Sequence, residues 1–280
     1  MADEARVQEE CRKELTAIIT AMMKLLADFG TAIRRSDRTP TNRLTVLLGA
    51  IMKAQESSRA IVYLGKIGAV DEMNVLLRTL VELVVNVCYF QHASDAELKR
   101  FLKHDAIAGY IAMKDFSKAT QGTAPFPSDL ELRITNQANL AKAESGLGLD
   151  ARLWNVETKT LKKRADKVDA TIGGSHFAQI MASVYVTGSG YTHAGFKTIH
   201  RYCYYLMTGK GEHPLVNTFG VANAIHGVSY ALHVFGRYIA LQHGFDLDAF
   251  DSLEKESLRI VEVSREDLRL HRKAQQNPQA

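Results

Sequence analysis

The sequence predicts an all-α fold, a single-domain bundle of about nine or ten helices. Three observations carry that prediction. There are only five prolines among 280 residues. Long stretches lack glycine and repeat apolar residues at intervals of three and four, the spacing of one helix face. No series of alternating β-branched runs is present to build a sheet. Apolar residues make up 46% of the chain and charged ones 24%, the ordinary globular range, so a substantial core is within reach.

Residues from about Asp3 to Ile33 read as one long amphipathic helix that stops at the polar stretch RRSDRT. Thr39 followed by Pro40 reads as a cap and a first-turn proline, opening a second helix that runs to Gly65 or Gly68. Asp71 starts a third. Ser94 with Glu97, and again Ser128 with Glu131, have the capping-box spacing, and QGTAPFP separates the two helices they begin. A glycine-bearing stretch, SGLGLDARLW, leads to the basic amphipathic segment TLKKRADKVDA. Gly173-Gly174-Ser175 then opens the helix that runs into YVTGSGYTHAG, and TGKGEHP is the next break. Two helices close the chain: NTFGVANAIHGVSYALHVFGRYIALQH, and a charged amphipathic one from about Asp248 to Arg272. The expected organisation is an N-terminal long helix (1–38), a helical core domain (39–245), and a C-terminal charged helix with its tail (246–280).

The formal charge of +4 is small for a dedicated nucleic-acid binder, but it permits an anionic ligand. Cys11, Cys88 and Cys203 are far apart with no C-x-x-C pair, which predicts neither a disulfide framework nor a thiolate metal site and points to a reducing compartment. The start, MADEARVQEECRKEL, is charged where a leader would be apolar, and VLLRTLVELVVNVCYF carries Arg78 and Glu82 in its middle. A cytoplasmic protein with no membrane partner is expected.

Two helices place polar groups where apolar ones would be simplest. From Phe219 to His243 the only charged side chain is Arg237, so that helix is expected to be buried on nearly all sides. Yet Asn223, His226, Tyr230, His233 and Arg237 fall in a stripe about 80° wide, and polar groups there must find partners, because an unsatisfied one costs about 1–3 kcal/mol. They are either core groups bonded to neighbouring helices or the lining of a ligand pocket. In DEMNVLLRTLVELVVNVCYF the residues Asp71, Asn74, Arg78, Glu82, Asn86 and Tyr89 form a similar line. It is either a narrow solvated face or one that holds Arg78 and Glu82 for a partner. If the two stripes face each other, Arg237 and Glu82 can pair or flank a cavity.

In YVTGSGYTHAG, Tyr185, Ser189 and His193 are spaced by four and align on one face only if the helix continues through Gly188 and Gly190. Glycine costs about 1 kcal/mol relative to alanine inside a helix, so a helix that loosens or turns there is expected. The stretch is not a Gly-x-Ser-x-Gly elbow, and neither His-Glu-x-x-His nor a doubled Glu-x-x-His is present. No metal and no cofactor is expected. The arginine-to-histidine spacing of HEPN ribonucleases occurs at Arg237 with His243 and at Arg265 with His271, about as often as chance provides, and six residues of helix put those side chains roughly 120° apart.

With AIMKAQESSRAIVYLGKIGAVDE, then Arg78 and Glu82 in LLRTLVELVVNVCYF, then Tyr185, Ser189 and His193, residues 40 to 245 resemble a bacterial family known only as domain of unknown function 5677. The resemblance implies an all-helical intracellular protein whose key polar residues are Arg78, Glu82 and His193, with kinship to HEPN-type domains; it brings no activity. The expectation drawn from it is a polar pocket in which Arg78 holds an anionic group, His193 acts as acid or base, and Glu82 orients it. Tyr185, Ser189, His226, Tyr230, His233 and Arg237 complete the candidate pocket. Two functions fit: an RNA- or nucleotide-processing module of stress or phage defence, helped by the basic residues Lys159, Lys162, Lys163, Arg164 and Lys167, or a non-catalytic module that binds a small ligand or a partner. The expected partners are RNA or a nucleotide, and a second copy of the chain in a homo-oligomer.

Overall fold

The structure is a computed structural model that describes residues 2–36, 39, 41–121, 123–124, 126–152, 160–185 and 218–276. Among these residues there are nine α-helices and one π-helical turn, and no strand. The helices are α1 (Ala2–Ser36), α2 (Asn42–Lys66), α3 (Val70–His92), α4 (Asp95–Ala119), α5 (Ser128–Ser145), α6 (Leu161–Ile172), α7 (His176–Ile180), α8 (Thr218–His243) and α9 (Asp248–Gln276), with the π turn at Met181–Tyr185. The all-α bundle read from the sequence is the observed class.

Helix starts follow local chemistry, with two corrections. The α2 cap is Thr41, not Thr39: its backbone is extended and its Oγ1 accepts from the Leu44 amide at 3.1 Å, the geometry a cap needs. Ser94 caps α4 by accepting from the Glu97 amide at 3.2 Å, while the Glu97 carboxylate is taken by the Tyr89 hydroxyl at 2.9 and 3.0 Å. The Ser128 signal fails. Pro127 holds the cap position of α5, Ser128 is already helical, and no side chain caps the helix.

The chain divides into two compact units, the boundaries falling after Cys88 within α3 and after Arg164 within α6. The first holds residues 1–88 and 165–280. Its α1 buries Leu15, Ile19, Met22, Leu26 and Ile33 at steps of four, three, four and seven, the stripe that lets one helix lie along others. That stripe packs against α8, α9 and α2. Helix α8 is enclosed as its lack of charge predicts: Ile225, Val228, Leu232, Phe235, Tyr238 and Ile239 are all buried. Two of its glycines admit neighbours closely. A Cβ on Gly236 would sit 2.4 Å from the Phe250 ring, and one on Gly227 would sit 2.6 Å from Leu77 Cδ2. Phe29 closes the end of the α1 seam by stacking on Phe245 at 4.5 Å between ring centroids.

The second unit, residues 89–164, pairs α4 with α5 around Ile107, Ala141 and Leu147. Phe90 stacks on Phe101 at 4.1 Å, and Lys103 bridges to Glu144 at 2.6 Å.

Two segments, Glu9–Ser36 and Val70–His92, are long and apolar enough to cross a membrane by length and composition. Of the most apolar part of Val70–His92, 61% is buried inside the fold, as a core helix would be. Cys11 and Cys88 are buried free thiols, and burial pushes the Cys88 thiol well up. Cys203 lies outside the described residues.

Candidate functional site

Four-residue spacing stacks Asn74, Arg78 and Glu82 along one line of α3. Asn74 is buried and donates from Nδ2 to its own helix at Val70 O, 2.8 Å away. The Arg78 side chain is only 16% exposed and that of Glu82 37%, so the line is enclosed at Asn74 and Arg78 and reaches solvent at Glu82. Arg78 Nε donates to Glu82 Oε1 at 3.1 Å and its Nη2 to the Tyr185 hydroxyl at 3.0 Å. The guanidinium also lies over the Tyr185 ring, 4.9 Å from the centroid. Burial works against the arginine's charge, but the contacts with Tyr185 and Glu82 outweigh it and hold the group above its ordinary range.

What brings Tyr185 there begins at the two glycines before α7. Gly173 (φ 78°) and Gly174 (φ 98°) take the left-handed backbone that favours glycine, and the chain doubles back. The doubling places the buried Asp169 of α6 beneath α7, where its carboxylate accepts from the amides of Phe177 at 3.0 Å and Ala178 at 2.8 Å. Ser175 offers no side-chain cap, so Asp169 satisfies the open amides from outside the helix. Beyond Ile180 the helix widens into the π turn that ends at Tyr185. The loosening expected at Gly188 and Gly190 lies outside the described residues.

The polar stripe of α8 meets α9. Asn223 Oδ1 accepts from Arg265 Nη2 at 2.9 Å. His226 Nδ1 is 2.9 Å from Ser257 Oγ, which is 2.6 Å from Ser229 Oγ; Ser229 in turn reaches Glu254 Oε2 at 3.3 Å. His233 Nε2 lies 2.8 Å from Asp251 Oδ1, and Arg237 Nη1 donates to both Asp251 oxygens at 3.2 Å. Tyr230 points the other way and donates to Gln179 Oε1 at 3.0 Å. Among the described residues His233 Nδ1 and Arg237 Nε are buried without a partner. Arg237 therefore does not pair with Glu82: each has a nearer partner, Asp251 and Arg78 respectively.

Between α3, α7 with its π turn, α8 and α9, all within the first unit, lies a cavity of about 730 Å³. Asn74 and Leu77 form one wall, Gln179, Ser183 and Val184 a second, Asn223, His226 and Tyr230 a third, and Glu254, Leu258 and Arg265 the last. The volume is that of a pocket for a small organic molecule. Its electrostatics are set by burial. Removal from water pushes the Glu254 carboxyl up to about 8, against the pull of the Ser229 hydroxyl. The same burial, with Arg265 nearby, holds the His226 imidazole below its ordinary range, and burial with the Glu254 and Asp169 charges raises Tyr230. Near neutral pH the pocket thus presents a neutral imidazole and a carboxyl held mostly in its neutral form.

Of the residues singled out in the sequence, the structure brings Arg78, Glu82 and Tyr185 together, and it places His226 and Tyr230 on the cavity. His233 and Arg237 are held by Asp251 instead and do not line it. Ser189 and His193 lie outside the described residues, as does Lys159. In the basic segment Arg164 is buried, and exposed Asp166 sits among Lys162, Lys163 and Lys167. Of the HEPN-like spacings, Arg237 is taken by Asp251 while His243 stacks near Phe245 at 6.0 Å, so the two do not form a site. The sequence reading missed Glu254, Ser229, Ser257, Asp251 and Gln179. Asp251, Glu254 and Ser257 recur every three residues on α9 ahead of buried Ile260 and Val261, a signal that they lie toward the inner face of a charged helix. Among the described residues no group of three His, Cys, Asp or Glu side chains is placed to hold a metal ion.

Compared with known proteins, residues 44–209 match the model of a family described as a family of unknown function, DUF5677. The match takes in α2 to α7, with Arg78, Glu82 and Tyr185, and stops short of the α8 stripe that the resemblance extended to. No curated protein and no solved structure matches the chain.

Proposed function

The chain belongs to DUF5677, a family of unknown function, and from this premise we propose that it is an intracellular module that binds a small organic anion of nucleotide size. One observation carries the reading: the 730 Å³ cavity gathers separate polar groups of complementary kinds on apolar walls. Asn74 Nδ2 and Asn223 Oδ1 are spent on Val70 and Arg265, which leaves an amide oxygen on one side and an amide nitrogen on the other. With the His226 imidazole they suit the alternating donors and acceptors of a nucleobase-like heterocycle, and Arg265 suits a phosphate or carboxylate. Leu77, Val184 and Leu258 give the ring an apolar bed. A thermal-shift survey of nucleoside mono- and diphosphates tests it, because a ligand that prefers the folded state raises the melting temperature by mass action.

A second reading, processing of RNA or of the bound nucleotide by Arg78, Glu82 and His193, is favoured by one contact. Tyr185 opens the YVTGSGYTHAG motif, and its hydroxyl rests on Arg78. In this reading the protein is a HEPN-related bacterial defence enzyme of the cytoplasm, working as a homo-oligomer. Incubation with total RNA, wild type against His193→Ala, decides it: cleavage that vanishes in the variant supports the reading, and intact RNA in both ends it.

A further inference from the structure

The polar chain along the α8–α9 seam has the form of a path for a proton, and both of its ends reach the cavity. Glu254 Oε2 is 3.3 Å from Ser229 Oγ, Ser229 Oγ is 2.6 Å from Ser257 Oγ, and Ser257 Oγ is 2.9 Å from His226 Nδ1. Glu254 and His226 line the cavity, whereas Ser229 and Ser257 are wholly buried, so no bulk water interrupts the middle step between the two hydroxyls. A hydroxyl donates one hydrogen bond and accepts others, which lets the chain be ordered in either direction. With Nδ1 committed to Ser257, Nε2 is the imidazole nitrogen left for a ligand.

We propose that this chain is a proton relay: His226 Nε2 takes a proton from the pocket's ligand while Ser257 and Ser229 pass the Nδ1 proton to Glu254. The proposal rests on the pocket reading for what the proton is exchanged with, a ligand bearing a weakly acidic N–H or O–H.

In the order that can take up the ligand's proton Glu254 is a carboxylate that accepts from Ser229, Ser229 accepts from Ser257, and Ser257 accepts from His226 Nδ1–H. Nε2 then carries its lone pair. When the ligand's proton bonds to Nε2, the Nδ1 proton moves to Ser257 Oγ, the Ser257 proton to Ser229 Oγ and the Ser229 proton to Glu254 Oε2. Each serine oxygen gains one proton and gives up one, and the imidazole gains one at Nε2 and gives up one at Nδ1. The ligand keeps the electron pair as an anion, the imidazole is neutral before and after, and Glu254 ends as a neutral acid.

The surroundings favour that bookkeeping of charge. Burial disfavours imidazolium and favours the protonated carboxyl, so the proton rests where the fold tolerates it best. Arg265 lines the cavity and supplies a positive charge on its wall. Among the described residues the other ionisable groups are Tyr230 on α8, held high by burial, and Asp169 on α6, which is committed to the α7 amides. Helices α3 and α7 contribute only the neutral Asn74, Leu77 and Gln179. Ser229 Oγ also lies 2.8 Å from the His226 carbonyl, an acceptor that breaks the path, and 3.5 Å from His226 Nδ1, too long beside the 2.9 Å of Ser257 to replace it; an ionised Glu254 competes with the carbonyl through a charge-assisted bond.

The test needs no ligand. In the full chain labelled with ¹⁵N-histidine, imidazole nitrogen shifts separate the two neutral tautomers from imidazolium. Between roughly pH 6.5 and 9.5, His226 in the wild type should stay neutral and pass from the Nε2–H to the Nδ1–H tautomer as Glu254 ionises near its value of about 8. Glu254→Gln should hold one tautomer throughout, and Ser257→Ala should uncouple the tautomer from Glu254. A His226 tautomer that stays constant through that range in the wild type overturns the relay, and so does a switch that persists unchanged in Ser257→Ala. If Glu254→Gln does not fold, the wild type and Ser257→Ala decide the matter. A relay that fails here leaves the binding survey untouched, and a survey without hits leaves the tautomer result standing.

Discussion

Arg78 and Tyr185, 107 residues apart in sequence, meet twice over: the guanidinium donates to the hydroxyl at 3.0 Å and lies 4.9 Å from the ring centroid. This joins the polar line of α3 to the end of the π turn, beside the cavity wall formed by Ser183 and Val184. Tyr185→Phe keeps the ring and removes the acceptor. It should cost about 1 kcal/mol, the net worth of one such hydrogen bond, in urea unfolding, and Arg78→Ala, which loses both contacts and the Glu82 pair, about 2 kcal/mol. Far-ultraviolet circular dichroism should be unchanged in both. A collapse of helicity in Arg78→Ala would mean that the arginine holds the fold together rather than the site.

Two glycines of α8 predict unequal penalties for the same substitution. At Gly236 a Cβ would strike the buried Phe250 ring at 2.4 Å, and a ring enclosed on all sides cannot retreat. At Gly227 the obstacle is the far end of Leu77, 2.6 Å away, which can change rotamer toward the cavity. Gly236→Ala should cost about 2–3 kcal/mol and Gly227→Ala about 1 kcal/mol or less by chemical denaturation. Equal costs would show that the Phe250 side of α8 is looser than the packing implies.

Asp251 holds two cations or potential cations on one carboxylate, His233 at 2.8 Å and Arg237 at 3.2 Å. His233 and Arg237 outweigh the effect of burial and keep Asp251 below the usual carboxylate range. Its contribution to stability is therefore present above its ordinary titration range near pH 4 and is lost as pH falls through the lower folded value. Asp251→Asn should cost about 2 kcal/mol at neutral pH, discounted for its partial exposure, because Arg237 is left without its counter-charge. Equal stability of variant and wild type at neutral pH would contradict the pairing.

Glu254 works in the opposite sense. Its carboxyl titrates at about 8 in the fold against an ordinary 4.5, so the native state holds the proton more tightly than the unfolded chain does. The resulting stabilisation is complete below 4.5, falls as pH rises, and is lost above about 8. Glu254→Gln, which cannot ionise, should gain on the wild type by about 2 kcal/mol between mildly acidic and alkaline pH, less than full linkage because the cavity admits water. Parallel stability curves for the two proteins across that range would show that Glu254 ionises as freely as a surface carboxylate.

The helices were legible because their cause is local: the 3.6-residue period of α1 and α3, the charge-poor run of α8 and the glycine pair before α7 each act within a few turns. Capping was legible only where no proline intervened, at Ser94 but not at Ser128, where Pro127 takes the cap position. The site was half legible. Asn223, His226, His233 and Arg237 stood out as polar groups on an apolar helix, but their partners Arg265, Ser257 and Asp251 belong to α9, which is rich in charge and hides its inward side chains among outward ones. Which of two polar stripes pairs with which is a long-range fact. Periodicity therefore left open the pairing of Arg237 with Glu82, where the fold supplies Asp251.

Isothermal titration of nucleoside mono- and diphosphates into the wild type, Ser183→Trp and Arg265→Ala tests the cavity most directly. Ser183 is exposed on the cavity wall, so an indole there fills the space without disturbing the core, and Arg265→Ala removes the cation proposed to hold the anion. The account predicts saturable binding of at least one such anion to the wild type, weakened about tenfold or more in both variants, a loss of about 1.4 kcal/mol or greater. Binding that is equally tight in Ser183→Trp, or no binding of any member to the wild type, would contradict it.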